Sequence, residues 1–207
     1  MRIPGIRLFY FDFGGFAMEL MEQKIREEGK VLPGGILKVG SFLNQQIDTD
    51  FLEEIGQEIA RLFAGCGVTK VLTIESSGIA IGAAAGMALK VPMVFAKKHK
   101  TSNVDGSVFS TTVHSYTHNT DYTVVVSSDY LLPTDRVLLV DDFLANGKAL
   151  MGLIDLVHQA GATLVGASCA VEKGFQGGGD ALRAQGIRVE SLAVIESMSD
   201  TDITFRP

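Results

Sequence analysis

Two adjacent carboxylates stand where an apolar strand gives way to a turn of small residues. The run RVLLV at 136–140 predicts a buried strand, Asp141 and Asp142 follow it, and a helical pattern begins at about residue 147. Carboxylates at a strand end can bind sugar hydroxyls, and a turn that opens a helix can direct free backbone N–H groups at a phosphate. The candidate phosphate-binding residues are Ala145, Asn146, Gly147, Lys148 and Ala149. The alternative is that both aspartates cap the helix and the turn binds nothing.

Two other segments carry groups that suit a phosphate ligand. TIESSG at 73–78 predicts a strand that ends in a short turn before a helix; the turn residues are Glu75, Ser76, Ser77 and Gly78. After the next predicted strand, the run KKHK supplies cations that can neutralise an anion without making the whole surface basic. Its three lysines are Lys97, Lys98 and Lys100. A serine-capped turn and a solvated charge run are the alternatives for these two segments.

Alternating strands and helices position these groups. Helical patterns predict helices at 18–28, from 49 onward, at 79–90 and at 147–159, with a short one at 180–184. Apolar and β-branched runs predict strands at 70–75, 91–96, 122–128, 136–140, 163–171 and 188–195. This order predicts an α/β fold whose mainly parallel sheet is flanked by helices on both faces and binds ligands at the carboxyl ends of its strands. Residues 97–121 favour a loop with a hairpin.

Composition narrows the classes of function. The 207 residues carry a net charge of -6, with a pI near 5.2, which argues against a general nucleic-acid surface because such a surface needs clustered Lys and Arg. Cys66 and Cys169 lie far apart without CxxC spacing, so we expect no zinc site or disulfide framework, and a cytoplasmic location. Residues 1–17 lack the apolar run of a signal peptide or a membrane span. We treat them as an extension of unknown role and expect a single domain at 18–207.

The stretch RVLLVDDFLANGKALMG at 136–152 resembles the phosphoribosyl pyrophosphate (PRPP) signature of type I phosphoribosyltransferases. The turn at 73–78 resembles the loop of that fold whose backbone contacts pyrophosphate, and residues 114–117 resemble the flexible loop that closes over the active site. Adenine and xanthine phosphoribosyltransferases commonly carry an Arg-Lys pair before that loop, so Lys97 departs from the pattern. The resemblance implies a twisted, mainly parallel sheet with a small hood formed by about residues 30–47 and 172–207.

Two segments resemble the base-recognising parts of bacterial xanthine phosphoribosyltransferases. They are ILKVGSFLNQQID at 36–48 and VEKGFQ at 171–176, within a resemblance that extends from about Met18 to Ile195. The resemblance implies that Leu37, Asn44 and Lys173 contact xanthine and that residues 145–149 bind PRPP. The chemistry agrees, because the two carbonyls of xanthine accept hydrogen bonds that an amide or an ammonium group can donate. Without the resemblance, a turn residue and an exposed charge are the simpler accounts of Asn44 and Lys173.

The implied reaction displaces pyrophosphate at the anomeric carbon of PRPP by a purine nitrogen, while Asp141 and Asp142 hold the ribose. Magnesium is expected to bind mainly through oxygens of PRPP and water, so no protein residue is assigned as a metal ligand. The resemblance implies a homodimer; neither a nucleic acid nor a membrane is expected as a partner. Two alternatives stay open: the same chemistry on guanine, hypoxanthine or adenine, and a regulator that senses PRPP without catalysis. Repressors of that kind add a DNA-binding domain, for which the chain has no room.

Overall fold

The computed structural model describes residues 16–98, 107–115 and 120–207. The helices in this part of the chain are α1 (Phe16–Glu28), α2 (Thr49–Leu62), α3 (Gly78–Leu89), α4 (Lys148–Gln159) and α5 (Gly178–Ala184). The strands are β1 (Lys30–Leu32), β2 (Ile36–Lys38), β3 (Lys70–Ile74), β4 (Met93–Ala96), β5 (Val108–Ser115), β6 (Thr120–Ser127), β7 (Arg136–Leu144), β8 (Thr163–Lys173), β9 (Val189–Met198) and β10 (Ile203–Phe205). A π-helical turn spans Gly40–Asn44, and a 3₁₀ turn spans Gly174–Gln176.

A six-stranded sheet in the order β10-β9-β8-β7-β3-β4 forms the centre of the fold. The pairs from β9 to β4 are parallel, whereas β10, which the sequence did not predict, pairs antiparallel with β9 at one edge. Every residue of β3 is buried, as expected for a parallel strand covered on both faces. The predicted α/β class and mainly parallel sheet are therefore confirmed.

Two apolar clusters cover the sheet. Val71 belongs to one cluster and its neighbour Leu72 to the other, and since side chains alternate along a strand, the clusters lie on opposite faces. The cluster with Val71 takes in residues of α1, α2 and α3, and the cluster with Leu72 takes in residues of α4, β5 and β6. The sheet is thus covered on both faces, and the ends of its strands remain available for a binding site.

Helix α2 begins where the sequence predicts. Asp48 is its N-cap, and the Asp48 Oδ1 accepts a hydrogen bond of 3.2 Å from the Phe51 backbone N–H. The other carboxylate oxygen of Asp48 accepts from Lys24 Nζ at 2.8 Å, which ties α2 to α1. A Cβ at Gly56 would lie 2.6 Å from the Ala84 carbonyl oxygen, so glycine allows α2 to pack closely against α3. These contacts fix α2 against α1 and α3.

A β-hairpin lies beside the main sheet. Strands β5 and β6 pair from Val108–Ser127 to Ser115–Thr120, so the predicted strand at 122–128 pairs within the hairpin and not in the main sheet. The hairpin is anchored at both sides: Gln159 of α4 exchanges two hydrogen bonds with the Ser110 backbone, and Lys97 forms a bridge with Val125. The predicted strand at 122–128 is thus β6, which lies outside the parallel order.

The predicted hood corresponds to two separate parts of the chain. In the first, β1 and β2 form a hairpin closed by Gly34 and Gly35, which have φ values of 85° and 72° that favour glycine. In the second, Arg183 of α5 donates to Val189 at the start of β9, and β10 pairs with the end of β9. The prediction that these parts act together as a hood is not tested, nor is the prediction of one domain at 18–207. Most of the extension at 1–17 lies outside the described residues. Across the ranges described, no helix has both the length and the hydropathy needed to cross a bilayer.

Candidate active site

The two aspartates lie inside β7, which continues to Leu144 and not only to the predicted residue 140. The strand continues because β8 pairs with it beyond the aspartates, as far as Leu144 and Glu172. Asp141 is only 5 % exposed, whereas Asp142 is half-buried and accepts a hydrogen bond of 3.2 Å from Asn44 Nδ2. The Asp142 backbone N–H donates to Asp141 Oδ1 at 2.9 Å. The two carboxylates therefore face different surroundings, as alternation along a strand predicts.

The surroundings of Asp141 shift its pKa upward. Burial raises the pKa of Asp141 well above its ordinary value, and the neighbouring charge of Asp142 raises it further. Lys98 acts in the opposite direction on Asp141, but more weakly. Tyr122 of β6 is a neighbour that the sequence did not indicate: burial raises the pKa of its phenol, with a further contribution from the charge of Asp141. Asp141 is thus the member of the pair whose surroundings oppose its ionisation.

The turn before α4 opens a helix and is held by a side-chain hydrogen bond. Asn146 Oδ1 accepts a hydrogen bond of 3.1 Å from the Lys148 backbone N–H, which folds the turn on itself. Gly147 has φ of 80° and precedes the helix without a side-chain cap. The first turn of a helix leaves backbone N–H groups without helical acceptors, and these can bind an anion. The residues of the turn and the helix start, 145–149, are the ones that the sequence singled out.

The second loop, at 75–78, is held against the basic stretch. Glu75 Oε1 accepts a hydrogen bond of 2.7 Å from the Lys98 backbone N–H, and the Glu75 N–H donates to the Ala96 carbonyl at 3.0 Å. The peptide bond between Glu75 and Ser76 is cis. A Cβ at Gly78 would overlap Thr73 Oγ1 and lie 3.1 Å from Asp141 Oδ1. Gly78 therefore lets the start of α3 approach the aspartate pair, while Ser76 is exposed and Ser77 half-buried.

The basic stretch is only partly described. Lys97 is fixed through its backbone, which exchanges two hydrogen bonds with Val125, and Lys98 Nζ lies 5.7 Å from the centre of the Tyr122 ring. Lys98 thus stands near both Glu75 and the aspartate pair. Lys100 and residues 116–119 of the predicted closing loop lie outside the described residues, so their proposed roles stay predictions.

The residues predicted to contact the base come from two distant segments, 36–48 and 171–176. Asn44 ends the π-helical turn and reaches Asp142, whereas Lys173 ends β8 and donates to the Gly35 carbonyl at 3.1 Å. Lys173 Nζ also lies 5.8 Å from the centre of the Phe143 ring, and burial lowers its pKa. The side chain of Leu37 is buried in the apolar core. The structure therefore brings Asn44 to the aspartates, while the roles of Leu37 and Lys173 toward a base stay predictions.

Comparison with known proteins identifies the family. Residues 43–182 match the phosphoribosyl transferase domain family. A xanthine phosphoribosyltransferase of Moorella thermoacetica is 52% identical over 188 residues, which cover 91% of this chain and 96% of the relative. Another, of Bifidobacterium longum, is 53% identical over 192 residues, which cover 91% and 100%. The chain belongs to the xanthine phosphoribosyltransferase family.

Solved structures of related enzymes share the fold. The adenine phosphoribosyltransferase of Giardia lamblia, solved with 9-deazaadenine, has a TM-score of 0.72 and 23% identity, covering 86% of this chain and 98% of that one. The adenine phosphoribosyltransferase of Rhodothermus marinus has a TM-score of 0.69 and 22% identity, with the same coverage. The predicted type I phosphoribosyltransferase fold is confirmed. At these identities the likeness concerns the fold and not the choice of base.

Proposed function

We propose that the protein transfers the 5-phosphoribosyl group of PRPP to xanthine, giving xanthosine 5'-monophosphate and pyrophosphate in purine salvage. One observation carries the proposal: the Asn44 side chain is hydrogen-bonded to Asp142 at 3.2 Å, so a base-contacting residue adjoins the aspartate that would hold ribose. The two substrates must meet at such a junction, because the bond formed joins the base to the ribose. Relatives at 52% and 53% identity are named for xanthine.

The donor is held by two kinds of group. Asp141 and Asp142 accept hydrogen bonds from the ribose hydroxyls. We assign the 5-phosphate to the backbone N–H groups of the turn and helix start at 145–149, and the pyrophosphate to residues 75–78 together with Lys97, Lys98 and Lys100. These groups hold the anomeric carbon in line between the purine nitrogen and the leaving oxygen, which lowers the entropic part of the barrier.

Magnesium fits this donor set. Within the described residues no three His, Cys, Asp or Glu side chains come together as a metal site, and Mg²⁺ commonly uses one or two carboxylates together with substrate oxygens and water. The half-buried Asp142 carboxylate could supply one such ligand. When bound with PRPP, the ion would neutralise the pyrophosphate that departs.

The base is selected by hydrogen-bond donors. Lys173 and Asn44 are proposed to donate to the oxygens of xanthine, with Leu37 supporting the pocket. In the present structure both donors are engaged by the protein, Lys173 by the Gly35 carbonyl and Asn44 by Asp142. A base that supplies carbonyl oxygens can replace these acceptors, whereas the amino group at C6 of adenine cannot. The pocket therefore favours oxidised purines.

Two further proposals concern the state of the protein in the cell. A groove of about 710 Å³ lies at the free edge of β4, where its lining includes Met93, Phe95, Lys97 and Tyr130. We propose that this groove receives a second copy of the chain, since Lys97 lines it and also belongs to the basic stretch. Light scattering should then give twice the chain mass.

Cys66 and Cys169 are both free thiols, which suits the proposed cytoplasmic location.

The function is tested by incubating the purified protein with PRPP, xanthine and Mg²⁺. We expect xanthosine monophosphate and pyrophosphate in equal amounts, and loss of both when the metal is chelated. If no purine base gives a nucleotide while calorimetry still detects PRPP binding, the protein is a PRPP sensor and the proposed function is wrong.

A further inference from the structure

A buried ion pair joins the end of β8 to helix α5. Glu172 is 0 % exposed, and both of its carboxylate oxygens accept from the Arg183 guanidinium, at 2.9 and 2.7 Å. Ser191 of β9 donates a third hydrogen bond of 2.6 Å to the same carboxylate. Arg183 Nε also donates to the Val189 carbonyl at 3.2 Å. This bidentate geometry fixes the position of α5 against two strands, which a single ammonium contact would not do.

The first turn of α5 leads from this pair to the phosphate-binding turn. A Cβ at Gly179 would overlap Glu172 Oε1, so α5 packs directly on the carboxylate. One residue earlier, the Gly178 backbone N–H donates to the Ala145 carbonyl at 3.2 Å, and a Cβ at Gly178 would overlap that same carbonyl oxygen. The backbone of α5 is therefore in direct contact with the turn at 145–147.

We infer that Glu172 and Arg183 are positioning residues that hold the phosphate-binding turn in place through α5. The inference rests on the proposed function of that turn, which is to bind the 5-phosphate of PRPP. A loop built from backbone N–H groups depends on its exact placement, because it has no side chain that could adjust to the ligand. Neither residue is among those assigned to the substrates, and their path to the turn runs through Gly178 and Ala145.

A purely structural role would have a different effect on kinetics. A buried pair that only stabilised the fold would, when weakened, lower the folded fraction and hence the apparent kcat, while the KM of the remaining folded enzyme would not change. A positioning role predicts instead that the KM for PRPP rises in fully folded protein. The KM for xanthine should change less, because the base pocket does not depend on the placement of Ala145.

The test variant is Arg183→Lys, which keeps the charge but loses the bidentate contact. The matched control is Arg188→Lys, because Arg188 forms an exposed ion pair with Glu190 at 2.8 Å near the amino end of β9, away from the carboxyl ends of the strands. We expect the KM and the calorimetric Kd for PRPP with Mg²⁺ to rise at least about 10-fold in Arg183→Lys, the size typical of a small misplacement in a site. In the control, both constants should stay within about twofold of the parent.

A second variant keeps the inference testable if Arg183→Lys does not fold. Gly178→Ala retains both Glu172 and Arg183 but forces α5 away from the Ala145 carbonyl, so it should also raise the Kd and KM for PRPP. The inference is overturned if a folded variant of either kind binds PRPP like the parent, or if the KM values for PRPP and xanthine rise equally. A parent that forms no nucleotide would refute the proposed function, whereas the calorimetric comparison would still decide the role of the ion pair.

Discussion

The donor side and the base side of the site are built in different ways. The proposed donor side, residues 75–78, 97–98 and 141–149, lies at the carboxyl ends of three parallel strands, and its proposed phosphate ligands are largely backbone N–H groups. The proposed base side consists of side chains from two segments far apart in the chain, one with Leu37 and Asn44 and the other with Lys173. Lys173 and Asn44 are paired with protein atoms 138 and 98 positions away.

Because of this difference, the two sides should be sensitive to different kinds of substitution. A backbone turn at the end of a rigid strand tolerates many side chains but depends on its supports, whereas a base pocket depends on a few specific donors. A donor site of this kind can therefore serve different bases, while a few side chains adapt the site to one base. Substitutions on the two sides should separate loss of donor use from loss of base choice.

The largest effect is expected from replacing both aspartates, Asp141→Asn and Asp142→Asn together. Hydrogen bonds to charged groups contribute about 1.5–3 kcal/mol each, so losing two should lower kcat/KM for PRPP at least about 100-fold with every base. The midpoint temperature of thermal unfolding at pH 7 should not show a matching loss of stability. The matched control, Asp200→Asn with Asp202→Asn, alters two exposed aspartates after β9 and should be fully active. Full activity of the double variant at 141 and 142 would refute the assigned donor site.

A smaller and selective effect is expected from Lys173→Met, which retains most of the apolar stem. Loss of one charge-assisted bond, about 1.5–3 kcal/mol, should lower kcat/KM for xanthine roughly 10- to 150-fold. Adenine should be unaffected, because its C6 amino group offers no acceptor to the ammonium group. The same substitution at Lys38, exposed on β2, should change neither base. An equal loss on xanthine, hypoxanthine and adenine would show that Lys173 serves the fold or the donor site.

The smallest expected effect is on the stability of the fold, and it concerns Asp141 alone. Burial, and then the charge of Asp142, raises the pKa of Asp141 in the folded protein. In the unfolded chain this group ionises near pH 3.9, so the folded state binds more protons above that pH, and stability falls as pH rises toward the folded pKa. Asp141→Asn removes this penalty. Its unfolding midpoint should exceed that of the parent at pH 7 and converge with it below about pH 4; a difference that did not vary with pH would contradict this account.

Much of the donor side could be predicted because local sequence encodes it. The apolar run before Asp141 indicates a buried strand, and the small residues ending in Gly147 indicate the turn and the helix start. The end of β7 was predicted too early, because two aspartates normally interrupt a strand, and only the pairing with β8 keeps them in it. The short strand β10 has no distinctive pattern and was missed.

The contacts between segments could not be predicted from sequence patterns. Glu75 accepts from the Lys98 backbone, and Tyr122 lies against the side chain of Lys98, yet nothing in the local sequence of either residue indicates this. Leu37 was assigned to the base through resemblance alone, and its side chain lies in the apolar core. Such contacts arise from how the loops of different strands meet, which depends on the whole fold.

Competition among the bases tests the central claim, that the base side adapts a shared donor site to xanthine. The purified protein would be given limiting PRPP, Mg²⁺ and equal concentrations of xanthine, guanine, hypoxanthine and adenine, and the nucleotides would be separated by chromatography. We expect xanthosine monophosphate to be the main product and adenosine monophosphate the least. Adenosine monophosphate in an amount equal to or above xanthosine monophosphate would contradict the assignment of Asn44 and Lys173 as the donors that select the base.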